Sequence, residues 1–172
     1  MIVTDRYRPM PQALDTERLS LRLLTPEDAT WDLELLGERD GGTPLTLAEV
    51  RQRLAELNER AHETGIGFLS MRRRVEGDVV GYCGLLVGRT TLDEPELAYE
   101  LLRRFHGRGY ATEAARAVLD AAFATGRRRL WATVRLWNAP SFRVLEKLGF
   151  RQDHSATDER GELVYLVRDS ES

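Results

Sequence analysis

Two glycines stand at the centre of the chain segment with the most chemical content, Glu96 to Phe150. Gly107 and Gly109 lie in the stretch RFHGRGYA, between an apolar run that predicts a strand and a pattern that predicts a helix. Glycine adopts backbone conformations that turn several N–H groups toward one point, and the following helix adds its unpaired N–H groups and the positive end of its dipole. This arrangement suits a phosphate or a pyrophosphate; the alternative is a tight strand-to-helix turn that binds no ligand.

Two familiar nucleotide-binding loops do not fit these residues. A Walker loop ends in Gly-Lys-Ser or Gly-Lys-Thr, which is absent at this position. A dinucleotide-binding fingerprint needs a third small residue and an acid at the end of the next strand. Here the third position is Thr112, and the next predicted strand ends in Thr133-Val134-Arg135. The loop therefore indicates a phosphate-bearing ligand of another kind.

Strands and helices must position this segment, and they alternate along the chain. Before the loop we predict strands over 18–24, 66–73 and 79–87, and helices over 26–36 and from the capping box at 46–49 to about 64. We then predict strands over 97–102, 130–134, 151–154 and 163–167, and helices over 111–125 and 138–148. Residues 1–15 are predicted to be an extended lead-in. The order indicates one α/β domain over 1–172, with a mixed sheet covered by helices on both faces.

Two motifs resemble those of one protein family. Arg104-x-x-Gly107-x-Gly109 with Tyr110-Ala111-Thr112-Glu113-Ala114 resembles the pyrophosphate loop of the GNAT superfamily of N-acetyltransferases, and NAPSFRVLEKLGF, Asn138 to Phe150, resembles its second motif. The LEKLGF ending and Thr16-Glu17-Arg18-Leu19 are similar to the RimJ/RimL-like branch, which is ribosomal-protein N-acetyltransferase-like. The resemblance implies a GNAT-like mixed, mostly antiparallel sheet with a splayed parallel pair of central strands. It also implies transfer of an acetyl group from acetyl-CoA to a primary amine.

The resemblance places the cofactor on three parts of the chain. Backbone N–H groups freed by the splay between strands 97–102 and 130–134 would bond the pantetheine arm, and these belong to Leu101 and Leu102. The loop would hold the pyrophosphate, mainly by its backbone, through Arg104, His106, Gly107, Arg108, Gly109, Tyr110, Ala111 and Thr112. The second motif would contribute Asn138, Ser141 and Phe142. For the two arginines the alternative is a solvent-facing side chain, for His106 a purely structural role in the loop, and for Asn138 a helix cap.

The acceptor amine must attack as a neutral base, although free amines are mostly protonated at neutral pH, so a base or a water chain must take the proton. Glu96 and Glu100 share one face of their strand, and Glu96 matches a position that is often acidic in the family. Glu100 stands where the branch often has an aromatic residue, and is a second candidate base or a contact for substrate charge. The alternative for both is a rim carboxylate. Leu145 occupies the position of a tyrosine that donates to the leaving thiolate in many members, so Ser141 is the implied donor; its alternative is a bond to its own backbone.

Composition narrows the expected partners. The 172 residues include 31% charged residues with a net charge of −3, so no global basic field indicates nucleic acid. Cys83 is the only cysteine, which excludes an internal disulfide and leaves a thiolate metal site unsupported; no metal is predicted. No apolar run predicts a signal peptide or a membrane span, so the expected location is cytoplasmic.

Two functions remain open on the sequence. The first is an N-acetyltransferase whose acceptor is a small-molecule amine or a protein N-terminus, with a cationic acceptor favoured by an acidic groove at Glu96 and Glu100. The second is a non-catalytic module that binds acyl-CoA and acts through a partner. Segments 38–47 and 90–95 are the expected acceptor-side loops, and neither names a substrate. The acyl-chain length and the choice between monomer and homodimer stay open.

Overall fold

The structure is a computed structural model that describes residues 6–39 and 41–171. The strands in these ranges are β1 Ala13–Asp15, β2 Leu19–Leu23, β3 Phe68–Arg73, β4 Val79–Leu86, β5 Glu96–Leu101, β6 Arg129–Arg135, β7 Arg151–Asp158 and β8 Gly161–Asp169. The helices are α1 Ala29–Gly37, α2 Leu47–Thr64, α3 Tyr110–Ala124 and α4 Ala139–Lys147. The predicted element order is confirmed. The last three residues of the predicted extended lead-in, Ala13–Asp15, form a short strand that pairs with β2; residues 1–5 lie outside the described residues.

The strands form one sheet in the order β1-β2-β3-β4-β5-β6-β8-β7. Every neighbouring pair is antiparallel except β5 and β6, which are parallel. The parallel pair has a single register position, Glu96 opposite Trp131, and the Trp131 N–H donates to the Pro95 carbonyl at 3.0 Å. Beyond this point β5 and β6 diverge. The predicted fold class, a mostly antiparallel sheet with a splayed central pair, is confirmed.

Helices cover both faces of the sheet. The small apolar stripe of α3 packs with Leu97 and Leu101 of β5 in the main core, and it consists of Ala114, Ala115, Val118, Leu119 and Ala122. On the opposite face, Tyr82 of β4 packs against a second cluster contributed by the α1–α2 region, and Tyr82 lies opposite Glu100 in the register. Because side chains alternate along a strand, β5 presents Leu97, Tyr99 and Leu101 to α3, and its glutamates to the other face.

Local signals fix where the helices begin and end. Thr46 and Glu49 form the predicted capping box at the start of α2, and Gly65 ends the helix with a φ of 74°. The small side chains of α3 pack against the sheet in the main core, and residues 102–109 join the end of β5 to the start of this helix. The glycine loop is thereby held at the mouth of the opening between β5 and β6.

Candidate functional site

The opening between β5 and β6 exposes backbone donors of β5. The Leu102 N–H donates to the Val80 carbonyl at 2.9 Å, and its side chain is fully buried. Successive N–H groups of a strand point to opposite edges, so the N–H groups of Leu101 and Tyr99 point toward the opening. The Leu102 N–H is therefore engaged within the sheet and does not face the opening, contrary to the prediction, whereas the N–H groups of Tyr99 and Leu101 do face it. Because adjacent N–H groups of a strand point to opposite edges, Leu101 and Leu102 cannot both face the opening. This conclusion could have been drawn from the sequence.

The glycine loop presents several N–H groups to one side. Gly107 and Gly109 have φ values of 74° and 80°, a region that favours glycine. The first helical bond of α3 is donated by the Glu113 N–H to the Gly109 carbonyl at 3.1 Å. The N–H groups before it therefore have no acceptor within the helix, and they belong to Gly109, Tyr110, Ala111 and Thr112. A Cβ at Gly107 would meet no atom within 4 Å, so the space beside this backbone is open.

Three arginine side chains lie around the buried ring of Phe105, next to the glycine loop. The guanidinium carbons of Arg73, Arg104 and Arg108 lie 4.9, 5.0 and 5.7 Å from the centre of the Phe105 ring. Arg104 is ion-paired with Glu34 of α1, and Arg73 is held by both oxygens of Asp78 at 2.6 and 2.7 Å. The sequence did not predict Arg73 here, because only the β3–β4 hairpin brings it to the loop. Carboxylates thus already pair with Arg73 and Arg104, so the N–H groups of the loop and the start of α3 remain its main positive feature.

His106 and the chain's opening segment fix the shape of the loop. The His106 Nε2 lies 2.8 Å from the Leu101 carbonyl, which supports the structural alternative for this residue. Glu113 accepts from the Thr16 hydroxyl at 2.8 Å and from the Arg18 N–H and Nε at 2.8 and 2.7 Å. Burial opposes the charge of Glu113, but these hydrogen bonds outweigh it and lower its pKa. The Thr16–Leu19 pattern thus anchors the start of α3.

Glu96 is a buried carboxylate with one oxygen available. It is 4% exposed, and the Thr133 hydroxyl donates to Oε1. Among the described residues, Oε2 is buried and has no hydrogen-bond partner. A buried polar atom without a partner costs free energy, so this oxygen is suited to accept a proton or a donor from a ligand. Thr133 was not predicted as a site residue, because it reaches Glu96 only through the parallel pairing of β5 and β6.

Glu100 is engaged on both of its oxygens. Arg39 Nε donates to Oε1 at 2.9 Å and Arg39 Nη2 donates to Oε2, while the Tyr82 hydroxyl donates to Oε2 at 3.1 Å. Burial and the charge of Glu100 raise the pKa of Tyr82, so its hydroxyl remains a donor. The ion pair joins the end of α1 to β5 and neutralises Glu100. The acidic groove expected at the two glutamates is therefore reduced at this position, and the geometry favours Glu96 as the base.

The residues predicted in the second motif meet at the start of α4. Asn138 caps the helix by accepting from the Ser141 N–H at 3.4 Å, and the Tyr99 hydroxyl donates to the Ser141 carbonyl at 3.4 Å. Burial raises the pKa of Tyr99 to about 12. Phe142 is half-buried and packs against the main core, where Leu145 is 1% exposed. The sequence did not identify Tyr99, whose hydroxyl reaches α4 from a distant strand.

Other candidate chemistries find no support in the described ranges. No group of three or more His, Cys, Asp or Glu side chains in residues 6–39 and 41–171 is arranged to hold a metal ion. Cys83 is fully buried, and burial raises the pKa of its thiol, which keeps it in the unreactive protonated form. Within the same ranges, none of the helices combines the length and the apolar character needed to cross a bilayer.

Residues 18–151 match the protein family described as Acetyltransferase (GNAT) domain. The chain belongs to the GNAT acetyltransferase family. It is 28% identical over 149 residues to the uncharacterized N-acetyltransferase p20 of Bacillus licheniformis, covering 83% of this chain and 84% of the relative. A GNAT-family acetyltransferase structure from Bordetella pertussis superposes with a TM-score of 0.81 at 27% identity, over 92% of this chain and 99% of that one.

The GNAT fold extends to more distant structures. The microcin C7 self-immunity acetyltransferase MccE, solved in complex with acetyl-CoA and AMP, superposes with a TM-score of 0.80 over 93% of this chain and 97% of that one. Its identity to this chain is 11%, so the likeness concerns the fold. The two motifs that resembled GNAT sequences, the loop at Gly107 and Gly109 and the start of α4, lie in the matched range and flank the same opening.

Proposed function

We propose that this GNAT domain transfers an acetyl group from acetyl-CoA to a primary amine, and that it belongs to the RimJ/RimL-like branch. The observation that carries the proposal is the buried Oε2 of Glu96, which has no hydrogen-bond partner within the described ranges and lies where β5 and β6 separate. A carboxylate in that environment serves a proton transfer. The MccE complex with acetyl-CoA and the p20 name, N-acetyltransferase, agree with this assignment.

The features of this chain fit acetyl-CoA. The N–H groups of Gly109 to Thr112 and the guanidinium groups around Phe105 suit a pyrophosphate, with charge-assisted bonds contributing roughly 1.5–3 kcal/mol each. The N–H groups of Tyr99 and Leu101 suit the pantetheine arm and the thioester oxygen. Loss of one preorganised donor to a developing oxyanion typically costs about 2.7–4 kcal/mol in the transition state.

In this reaction Glu96 acts on the attacking amine, and Ser141 acts on the leaving thiolate. The amine nitrogen forms a bond to the acetyl carbon, and the C–S bond of the thioester breaks. Glu96 takes the proton that the ammonium must lose before attack and passes it to solvent. The second amine proton goes to the departing thiolate, and the Ser141 hydroxyl donates a hydrogen bond to that sulfur. The products are the N-acetyl amine, CoA as the thiol and one proton.

The first test is the release of CoA thiol with a panel of primary amines. We expect Glu96→Gln to lower kcat by about 10²–10⁴-fold while the Kd for acetyl-CoA stays unchanged, because Glu96 lies beyond the cofactor contacts. Glu100→Gln is the matched control, since both of its oxygens are already engaged, and it should retain most of kcat. A thiol reagent suits this assay because the only cysteine, Cys83, is fully buried.

The alternative function, a non-catalytic module that binds acyl-CoA, predicts a different result. Such a module would bind acetyl-CoA and release no CoA with any amine, and Glu96→Gln would leave its behaviour unchanged. That combination would refute the proposed acetyl transfer.

A further inference from the structure

A cavity of about 320 Å³ lies beneath the segment that joins β4 to β5. It is on the sheet face that carries Glu96 and Thr133, opposite α3 and α4. Its volume is at the small end of the range for ligand pockets, about 300–1,000 Å³, so it suits a compact molecule. The residues that determine its chemistry are Arg89, Thr90, Glu94, Trp131, His154 and Tyr165.

One wall of the cavity is aromatic. His154 stacks on Tyr165 with ring centres 4.3 Å apart and planes 14° from parallel, and Trp131 meets His154 edge-on at 5.9 Å. The Trp131 Nε1–H donates to a Glu94 oxygen at 2.8 Å, which fixes the indole. In the sheet, Tyr165 lies between His154 and Thr133, so its second face is turned toward Thr133. This wall suits an apolar or aromatic group of the ligand.

The Thr133 hydroxyl lies between a guanidinium and a carboxylate, those of Arg89 and Glu96. Arg89 Nη1 is 3.5 Å from Thr133 Oγ1, and the same hydroxyl donates to Glu96. Glu96 Oε2 and Thr90 Oγ1 are both buried without a hydrogen-bond partner among the described residues. Arg89 and Thr90 both line the cavity, and the Thr133 hydroxyl links Arg89 to the carboxylate of Glu96. A ligand that pairs with both Arg89 and Glu96 carries an anion and an amine close together.

Among primary amines, this spacing selects the α-amino acid. Its amine and its carboxylate are bonded to the same carbon, so the amine reaches Glu96 while the carboxylate reaches Arg89. A polypeptide N-terminus carries an amide at that place and leaves Arg89 without an anion. A polyamine has no anion for Arg89 and would have to direct its second cation to Glu94 instead, so spermidine is included in the test below.

We infer that the acceptor of this enzyme is a free α-amino acid with an apolar or aromatic side chain, and that Arg89 binds its carboxylate. The inference rests on the proposed acetyl transfer. The α-nitrogen forms the amide bond as the thioester C–S bond breaks. One ammonium proton passes through Glu96 to solvent, a second goes to the CoA thiolate, and the third stays on the amide nitrogen. The side chain of the amino acid packs on the rings of Trp131 and Tyr165.

The test compares phenylalanine with phenylalaninamide on three proteins: wild type, Arg89→Gln and Arg116→Gln. Arg116 is an exposed residue of α3 on the opposite face of the sheet, so its variant is the matched control. Arg89→Gln should lower kcat/KM for phenylalanine by about 10–100-fold, the loss expected for a charge-assisted pair, and change it little for the amide. The amine of phenylalaninamide is less basic than the amine of phenylalanine. This difference cancels when the ratio of the two kcat/KM values is compared between the wild type and Arg89→Gln.

Calorimetric titration of phenylalanine into the protein, with CoA present, measures amino-acid binding independently of acetyl transfer. It therefore distinguishes failure of the inference from failure of the proposed function. If phenylalanine binds in an Arg89-dependent way in this titration, and no CoA is released from acetyl-CoA in the kinetic assay, acetyl transfer is refuted and the amino-acid site stands. If CoA is released with phenylalaninamide, a peptide or spermidine at least as efficiently as with phenylalanine, and Arg89→Gln affects all of them equally, the inference is overturned and acetyl transfer stands.

Discussion

Replacement of Gly107 by alanine tests the glycine loop as a phosphate site. Gly107 has a φ of 74°, and a Cβ there would meet nothing within 4 Å. The substitution therefore carries only the backbone strain of an L-residue in the left-handed region, about 1–2 kcal/mol. In a chain of this length, 1 kcal/mol corresponds to roughly 2–4 °C in Tm, so the ligand-free variant should melt about 2–8 °C below the wild type.

The effect on acetyl-CoA should exceed this strain. The added methyl group projects into the open space beside the loop and shifts the N–H groups that would bond the pyrophosphate. Loss of one charge-assisted bond, about 1.5–3 kcal/mol, weakens binding tenfold or more. Acetyl-CoA at 100 times the wild-type Kd stabilises the wild type by about 2.7 kcal/mol, but a tenfold weaker variant by only about 1.4 kcal/mol. The ligand-induced rise in Tm should fall to about half.

Gly161→Ala is the matched control for this measurement. Gly161 has a φ of 104° with nothing within 4 Å of a Cβ, and it lies at the turn between β7 and β8. It should lose a similar amount of stability and keep the full acetyl-CoA shift. If both variants lose the same Tm and both keep the full shift, Gly107 does not contribute to a phosphate site, and the reasoning from loop geometry is refuted.

Two further variants test the environment of the site. Burial raises the pKa of Asp32 although Arg53 lies 2.7 Å away. A carboxyl with a raised folded-state pKa contributes stability at low pH that is lost as pH rises, so the unfolding free energy of wild type minus that of Asp32→Asn should fall as pH rises above about 4. Urea titrations at each pH measure this, and a difference that grows with pH would mean that the Arg53 pair dominates. Asn138→Ala should lower the unfolding free energy by about 0.5–1 kcal/mol, because it removes a cap, and should weaken acetyl-CoA binding. Asn138→Asp keeps the cap acceptor but has no amide donor, so it should restore stability and not affinity; full recovery of affinity would exclude the amide contact with the cofactor.

The order of strands and helices could be predicted from the sequence because its signals are local. The capping box of α2, the alanine-rich face of α3 and the glycines after helices each act within a few residues. The boundaries differ from those predicted by a few residues at most, except at β7, which extends to Asp158. That strand is exposed along its length, so it lacks the buried alternation that marks a strand in a sequence. The short strand β1 was missed because three residues show no periodicity.

The site could be predicted only in part. Glu96, the glycine loop and the start of α4 were found because their motifs resemble those of a family. Thr133 and Arg39, the partners of the two glutamates, were not found, since each comes from a distant element. Arg104, one of the two loop arginines that the sequence singled out, forms an ion pair with Glu34 of α1, 70 positions earlier in the chain. No local sequence pattern indicates that contact.

The sequence by itself determined most of the elements and the family, because both depend on residue types at short spacing. Only the tertiary structure decided which glutamate has an oxygen available and which is neutralised. It also decided that Tyr99 and Leu101, rather than Leu102, turn their N–H groups into the opening, and that the Thr133 hydroxyl lies between Arg89 and Glu96. These facts depend on strand register and on contacts between residues far apart in the chain. The physical reason is that hydrogen-bond satisfaction and burial are properties of the assembled sheet, and side chains acquire them only when β5 and β6 meet and separate.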